Sequence, residues 1–202
     1  MNRIAIFSHG GVRLSIRTVI QKRNFRSLAA MVRCARDLGV SRISFLAADV
    51  RSEGFGRAER GAVVPEETLL LDARETSELR AIITGMASGC REDFSSGFIA
   101  ESSARLLRIA DYFEALIGGG AFPQTSCNAP MVSTVITSTE ELLPCYFLPR
   151  FGNIRETPLA DLMNGQAIRS TRSEVRAGTP GPCRTCVCTL NVRPLRALLG
   201  KF

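Results

Sequence analysis

The chain has 202 residues, of which 45% are hydrophobic and 22% are charged, and its formal net charge is +7. This composition is typical of a soluble globular protein, and no apolar run reaches the roughly 18 residues that span a bilayer. We therefore expect a cytoplasmic protein without a membrane partner. The arginines are scattered and no stretch alternates basic with aromatic side chains, so we expect no nucleic-acid partner either.

The first part of the chain alternates strand and helix patterns. Residues 13–21 alternate apolar with polar side chains and then become β-branched, which predicts a strand. Asn24 is placed to cap a helix over residues 25–38, which Gly39 ends. Residues 40–47 predict a second strand. A strand, a helix and a strand in this order indicate a βαβ unit and therefore a parallel sheet.

Two further helices and a break complete this first part. Helical patterns recur over residues 73–87 and 102–117. The triplet Gly118-Gly119-Gly120 then interrupts the chain. We therefore expect two domains, residues 1–120 and residues 121–202.

The second part has the pattern of a β-hairpin with short helices. Residues 132–137 and 142–148 predict two strands that turn at residues 138–141. The further elements expected are two short helices, a loop and a terminal helix, in the order 159–163, 167–175, 178–182 and 192–199.

Five of the seven cysteines lie in this second part: Cys127, Cys145, Cys183, Cys186 and Cys188. In a cytoplasmic protein such clustering indicates metal ligands rather than disulfides. Cys183 and Cys186 have a Cys-x-x-Cys spacing and can bind one metal from a single turn, while the two upstream cysteines close its other side. Four thiolates suit an iron–sulfur cluster or a structural zinc.

The remaining cysteines and the single histidine are not expected to be metal ligands or catalytic residues. Cys34 falls on the apolar side of its predicted helix and Cys90 lies near a helix end, so both are expected to be core or incidental thiols. His9 is the single histidine and is assigned to a leader segment. One histidine without a partner pattern gives no support to a Ser/His or Cys/His catalytic set, and the catalytic residues stay unknown.

With these motifs in view, the chain resembles the C-terminal part of a radical S-adenosylmethionine enzyme that carries a SPASM or twitch-type auxiliary iron–sulfur domain. Residues 17–24 and 43–46 are similar to strands five and six of that family's partial barrel. The resemblance implies an α/β fold, in which an incomplete (β/α) barrel is followed by a small SPASM/twitch domain with a β-hairpin and short helices.

The second half carries the more specific resemblance. Cys127-Asn128-Ala129-Pro130 opens a hairpin that ends in Pro144-Cys145. Gly152-Asn153-Ile154 resembles the family's segment before a short helix, and Arg172 precedes the Cys-x-x-Cys loop. The resemblance implies one [4Fe–4S] cluster on four cysteines: Cys127, Cys145, Cys183 and Cys186. Cys188 replaces Cys186, stays a spare thiol or serves a second cluster.

Four residues of the first part are the contacts that the resemblance implies for S-adenosylmethionine: Arg17, Gln21, Asn24 and Leu46. Asn24 equally fits a plain helix cap, and Arg17 equally fits a surface residue. The polar loop over residues 49–62 lies where α/β proteins place ligands, so Asp49 and Arg57 are candidate substrate contacts.

The sequence departs from the family in two ways. It has no Cys-x-x-x-Cys-x-x-Cys motif for the reactive cluster, and the first four barrel strands are missing, so we expect a gene fragment or a subunit whose second chain supplies that half. S-adenosylmethionine would bind only with those strands, and the chain alone is not a competent oxidoreductase. Glu140 stands where the family's hairpin turn often has glycine. The alternative function is a zinc-stabilised, non-catalytic binding module.

Overall fold

The computed structural model describes residues 13–52, 66–124, 126–188 and 190–192. These residues form two compact units. The first unit comprises residues 13–48 and 66–123. The second unit comprises residues 49–52 together with the described residues from Gln124 onward.

A parallel βαβ arrangement opens the first unit. Strands β1 (Ser15–Ile20) and β2 (Arg42–Ala47) pair in parallel, in step from their first residues to their last. A turn of 3-10 helix (Phe25–Ser27) and helix α1 (Leu28–Asp37) connect them. Gly39 follows α1 with a φ of +73°, a left-handed conformation that glycine adopts without strain. The parallel pairing predicted from the sequence is therefore confirmed.

A third segment extends this sheet on the far side of β2. Ile99 forms a parallel bridge with Ile43. The Ile43 N–H donates to the Phe98 carbonyl, and the Ala100 N–H donates to the Ile43 carbonyl. A single bridge has no run of alternating residues, which is why the sequence did not predict it. The described residues thus form a short open parallel sheet and no closed barrel.

Four helices follow β2 in the first unit: α2 (Glu66–Leu69), α3 (Ala73–Gly89), α4 (Arg91–Ser95) and α5 (Ser103–Leu116). Asp72 caps α3: its side chain accepts the Glu75 N–H, and the Glu75 side chain accepts the Asp72 N–H. Arg80 on α3 pairs with Asp111 on α5 at 2.7 Å. The two long helices that the sequence predicted are therefore confirmed, and they pack against each other.

The two faces of the β1–β2 sheet differ in exposure. Ile20, Ile43 and Phe45 lie on one face and are almost fully buried. Arg17 and Val19 lie on the opposite face, where Val19 keeps 43% of its surface exposed. The buried face contributes to the core of the first unit, whereas the other face, called the open face below, presents both polar and apolar side chains.

The second unit is built from short elements around an antiparallel sheet. Its strands, in the spatial order β3–β4–β5, are Val135–Ile136, Glu141–Leu143 and Gly152–Asn153. Its helices α6 to α9 are Ala129–Val132, Leu159–Asn164, Gln166–Ala177 and Gly181–Arg184. The hairpin and the two short helices predicted from the sequence are confirmed as elements, although their bounds differ.

The second hairpin strand is shorter than predicted. It ends at Leu143 rather than at residue 148, because Pro144 follows and has no N–H for the ladder. The chain then turns, and the Leu148 N–H donates to the Cys145 carbonyl at 3.4 Å. This turn brings Cys145 out of the strand.

Two predictions concern the end of the chain. The loop expected over residues 178–182 ends early, because α9 already begins at Gly181 with a proline in its first turn. The expected terminal helix over residues 192–199 lies outside the described residues from residue 193 onward. Within the described ranges, no helix combines the length and the apolar character required to cross a membrane.

The hairpin turn contains a residue in an unfavourable conformation. Glu140 has a φ of +64°, which favours glycine. Its carboxylate accepts a hydrogen bond from Arg155 Nη2 at 3.1 Å. Glu140 thus occupies the left-handed position of the turn at which the resembled family often has glycine.

Gly152 of β5 lies against helix α7. A Cβ atom at this position would overlap the side chain of Leu162. The strand and the helix therefore approach each other this closely only because residue 152 has no side chain.

Candidate metal centre

All seven cysteines lie in the described residues and all are free thiols. The five cysteines of the second unit are half-buried. Three segments of chain carry them: the loop before α6, the turn after β4, and α9 with the residues that follow it.

Cys127 lies in the loop that precedes α6. The Ala129 N–H, two residues further on, donates to the Cys127 sulfur at 3.4 Å. Pro130 lies in the first turn of α6, where a missing N–H leaves no helical bond unmade. The backbone of its own loop therefore holds this sulfur.

Cys145 lies in the turn that follows β4. Burial raises the pKa of its thiol. The N–H groups of Phe147 and Leu148 donate to the sulfur and offset part of this rise in pKa, since they stabilise the thiolate. The charges of Cys127 and Cys188 raise the pKa further.

Cys183, Cys186 and Cys188 lie in and after α9. The Cys188 N–H donates to the Cys186 sulfur at 3.3 Å, and the Cys186 thiol donates to the Cys188 carbonyl at 3.1 Å. Burial is the main cause that raises the pKa of Cys183 to about 11 and the pKa of Cys186 to about 12. Without a metal, both thiols are therefore protonated at neutral pH.

The three cysteine segments converge. After burial, the charges of Cys145 and Cys127 are the next causes that raise the pKa of Cys183. The charges of Cys188, Cys127 and Cys145 likewise raise the pKa of Cys186. Among the residues that the structure describes, no three cysteine, histidine or carboxylate side chains stand at metal-coordinating distance. The thiols of the three segments therefore interact electrostatically, but among the described residues no three of them are placed to bind one metal ion.

Arg172 of α8 ties the first cysteine loop to the rest of the unit. Its Nε donates to the Pro130 carbonyl at 2.9 Å, and its Nη1 donates to the Met163 carbonyl at 3.0 Å. These bonds join α6, which follows Cys127, to the end of α7. Arg172 therefore helps to position the loop that carries Cys127, although neither of these hydrogen bonds reaches Cys127 itself.

The donor set fits a metal centre with sulfur ligands. Thiolates are soft ligands, which suit iron–sulfur clusters and zinc. Three of the sulfurs, those of Cys127, Cys145 and Cys186, accept an N–H from the residue two positions further on. Such bonds stabilise a thiolate and orient it toward a metal.

The family comparison matches this part of the chain. Residues 127–187 match the SPASM family, described as an iron-sulfur cluster-binding domain. The match starts at Cys127 and includes Cys145, Cys183 and Cys186, but it ends before Cys188. It covers less than half of the chain and leaves the first unit unassigned. No curated protein matches the chain. The SPASM domain indicates that the second unit binds an iron–sulfur cluster.

The residues expected to contact S-adenosylmethionine lie in the first unit, within β1 and β2 or shortly after β1. Arg17 lies on the open face, and the register places Leu46 beside Val19 on that face. Gln21 follows β1 directly. Asn24 accepts the Gln21 N–H at 2.9 Å and donates to the Val19 carbonyl at 2.8 Å. Asn24 therefore closes the turn after β1. It occupies the predicted N-cap position, here of the 3-10 helix, but its side chain makes no capping hydrogen bond.

The prediction that Cys34 falls on the apolar side of its helix is wrong, because its side chain is exposed; this excludes the core thiol and leaves the incidental one. The buried positions of α1 are Leu28, Val32 and Ala35, and Cys34 precedes Ala35 by about 100° around the helix. Cys90 is half-buried, and burial raises the pKa of its thiol.

Of the candidate substrate contacts and the single histidine, only Asp49 lies among the described residues. The Asp49 side chain accepts the N–H groups of Arg51 and Ser52 within its own turn. Arg57 and His9 lie outside the described residues.

The sequence alone assigned no role near the cysteines to Arg172 or Asn128. The backbone partners of their side chains lie 42 and 64 residues away in the chain. Hydrophobic periodicity carries no signal for such distant bonds. The available signals were the positions of both residues: Asn128 directly follows Cys127, and Arg172 precedes the Cys-x-x-Cys loop.

Proposed function

We propose that the second unit binds one auxiliary [4Fe–4S] cluster through four thiolates: Cys127, Cys145, Cys183 and Cys186. The observation that carries this proposal is the SPASM match, which includes all four cysteines. The hydrogen bond from the Asn128 N–H, next to Cys127, to the Leu190 carbonyl, two residues after Cys188, supports it. Four thiolates satisfy the four iron corners of such a cluster. The family match favours iron–sulfur over zinc, which the same sulfurs would also suit.

Cys188 is proposed as a spare thiol. Its backbone N–H and carbonyl both bond to the Cys186 sulfur, so it supports its neighbour through the main chain. Cys186 also lies within the SPASM match, whereas Cys188 lies beyond it.

When bound, the cluster supplies a one-electron acceptor or relay, or an anchor for substrate. The role of this chain is to hold it. The thiols of Cys145, Cys183 and Cys186 have raised pKa values and release their protons as they become ligands. The backbone N–H groups then remain on the sulfurs, where they offset part of the negative charge that burial disfavours.

The first unit is proposed to be part of a radical S-adenosylmethionine barrel, with residues 1–120 as the barrel part and residues 121–202 as the SPASM part. The parallel β1–β2 pair and the parallel Ile99 segment support this. Among the described residues β1 pairs with β2 alone, which leaves one edge of β1 for further strands from a second chain.

With those strands in place, S-adenosylmethionine would bind at the open face, near Arg17, Gln21 and Leu46, and the assembly would act as an oxidoreductase. Asn24 would shape this site by holding the turn after β1. A photoreactive amino acid at Val19 tests the assembly in the native host. A covalent adduct with a second chain is expected, and photoproducts confined to this chain contradict the proposal.

Metal and sulfide analysis of the protein, reconstituted without oxygen, tests the cluster proposal. We expect about four irons and about four sulfides per chain and a broad visible absorbance. Stoichiometric zinc without that absorbance contradicts the proposal and identifies a zinc-stabilised binding module instead.

A further inference from the structure

The side chain of Asn128 joins the first cysteine loop to the segment that follows the last cysteine. Its Nδ2 donates to the Val192 carbonyl at 2.7 Å, and its Oδ1 accepts the Val192 N–H at 2.9 Å. The Asn128 N–H also donates to the Leu190 carbonyl at 2.8 Å. The amide thus satisfies both backbone groups of Val192, as a neighbouring strand would.

A second and more exposed contact lies beside this one. Asn191 Nδ2 donates to the Ser126 hydroxyl at 3.0 Å. Residues 126–128 and 190–192, called the clasp below, therefore face each other through four hydrogen bonds. Asn128 makes three of the four, and its side chain and that of Val192 are half-buried.

The position of the clasp relates it to the cysteines. Asn128 directly follows Cys127, and Leu190 lies two residues after Cys188. The Cys127 loop and the Cys183–Cys188 segment are far apart in the chain, so only tertiary bonds keep them together. A metal held between them leaves when the two segments separate, and that separation breaks the bonds of the clasp.

We propose that Asn128 is a positioning residue that closes the cysteine site and sets how slowly a bound cluster is lost. This inference rests on the proposed function, since it takes the cysteines as the ligands. Asn128 does not contact the metal. It acts through the two segments that carry Cys127 and Cys186, and it governs their separation rather than the identity of the ligands.

The substitutions Asn128→Ala and Asn128→Asp separate the parts of this contact. Alanine removes both side-chain bonds to Val192. Aspartate keeps an acceptor for the Val192 N–H but places a carboxylate oxygen against the Val192 carbonyl, which repels it. Asn153→Ala is the matched control, because Asn153 also uses its amide on two backbone groups, the Thr139 carbonyl and the Arg155 N–H, neither of which adjoins a cysteine in the chain.

The first experiment measures the rate at which the reconstituted full chain loses iron to a chelator. The decay of the visible absorbance monitors this loss. We expect Asn128→Ala to lose iron about 10-fold to 100-fold faster than wild type, as when a hydrogen-bond partner of a metal site is removed. Asn128→Asp should also lose iron faster than wild type, and Asn153→Ala should match wild type. Equal rates for Asn128→Ala and wild type, or equal acceleration in Asn153→Ala, overturn the proposal.

Two further readouts separate positioning from general destabilisation. The electron paramagnetic resonance spectrum of the reduced cluster should shift in Asn128→Ala and not in Asn153→Ala. Amide hydrogen exchange of the metal-free chain should lose protection at the Val192 N–H, which donates to Asn128, in Asn128→Ala while the first unit keeps its protection. This second measurement applies even where a variant fails to load, and unchanged protection at Val192 contradicts the clasp.

The outcomes also separate this inference from the proposed function. Wild-type protein that holds zinc and no iron contradicts the proposed function. Zinc transfer to a chromogenic chelator then replaces the absorbance decay, and the same order of rates still supports the role of Asn128.

Discussion

The backbone N–H of Cys188 donates to the sulfur of Cys186 across 3.3 Å. The same relation, from an N–H two residues further along, holds the sulfurs of Cys127 and Cys145. Backbone donors of this kind support thiolate ligands, because they stabilise the charge that a metal requires on the sulfur. Cys186 is supported in this way by Cys188, which favours Cys186 as the fourth ligand.

Serine substitutions of these two cysteines are expected to differ. Cys188→Ser keeps its backbone N–H and should keep the iron content and absorbance of wild type. Cys186→Ser removes a ligand, and its loss of affinity should exceed the roughly 10-fold to 100-fold cost of losing a ligand's hydrogen-bond partner. Anaerobic iron analysis compares them. If Cys188→Ser lost iron while Cys186→Ser kept it, Cys188 would be the fourth ligand and Cys186 the spare thiol.

Gly152→Ala is expected to destabilise the second unit by about 1–3 kcal/mol, because the new Cβ overlaps Leu162 and forces β5 away from α7. Denaturant unfolding measures the change in the free energy of unfolding. Gly85→Ala is the control, since a Cβ at this position in α3 meets open space and should stabilise its helix by about 1 kcal/mol. A Gly152→Ala protein as stable as wild type would show that α7 yields without cost.

Glu140→Gly should be more stable than Glu140→Ala by about 0.5–1 kcal/mol. Both variants lose the exposed ion pair with Arg155, so it cancels in the comparison. Of the two residues, only glycine adopts a φ of +64° without strain. This gain exceeds the larger conformational entropy that glycine loses on folding. Thermal unfolding of the two variants checks this, and the reverse order would contradict the conformation of the turn.

Glu101 is expected to make stability depend on pH. Its carboxylate is half-buried and accepts the Phe45 N–H at 3.0 Å. Burial raises its pKa above the reference value of 4.5, against the N–H bonds and the charges of Arg17 and Arg42. The folded chain therefore binds the proton more tightly than the unfolded chain, and stability falls as pH rises from about 4.5 through the folded pKa.

Glu101→Gln keeps a side-chain oxygen for the Phe45 N–H and removes the charge. It should therefore be more stable than wild type above the folded pKa and lose this part of the pH dependence. Denaturant unfolding across mildly acidic to neutral pH measures both effects, with the exposed Glu156→Gln as the control. Parallel pH profiles for Glu101→Gln and wild type would refute the assignment.

The elements with strong periodicity were predictable from the sequence. The β1–α1–β2 order, the two long helices and the hairpin each carry several regularly spaced residues. The Ile99 bridge was not predictable, because its pairing with Ile43 depends on tertiary contact rather than on a local pattern. Cys34 was misplaced because a shift of one residue turns a helical side chain by about 100°, from the core to solvent.

The cysteines of the candidate metal centre could be selected from the sequence, and their role as ligands stays a prediction; the side chains that support them could not be selected. Cysteine spacing identified the thiols that the SPASM match includes. It gave no sign of the bonds from Arg172 to Pro130 or from Asn128 to Val192, whose partners are distant in the chain. Polar tertiary contacts of this kind depend on the folded backbone, which residue types alone do not specify.

The central claim is that this chain holds one [4Fe–4S] cluster on its SPASM cysteines. A Mössbauer spectrum of the protein reconstituted with ⁵⁷Fe tests it most directly, because the spectrum reports the type and share of every iron species. We expect nearly all of the bound iron to give the single signal of a diamagnetic [4Fe–4S]²⁺ cluster, at about four irons per chain. A spectrum of isolated iron in a four-sulfur site, or a chain that takes up zinc and no iron, would contradict it.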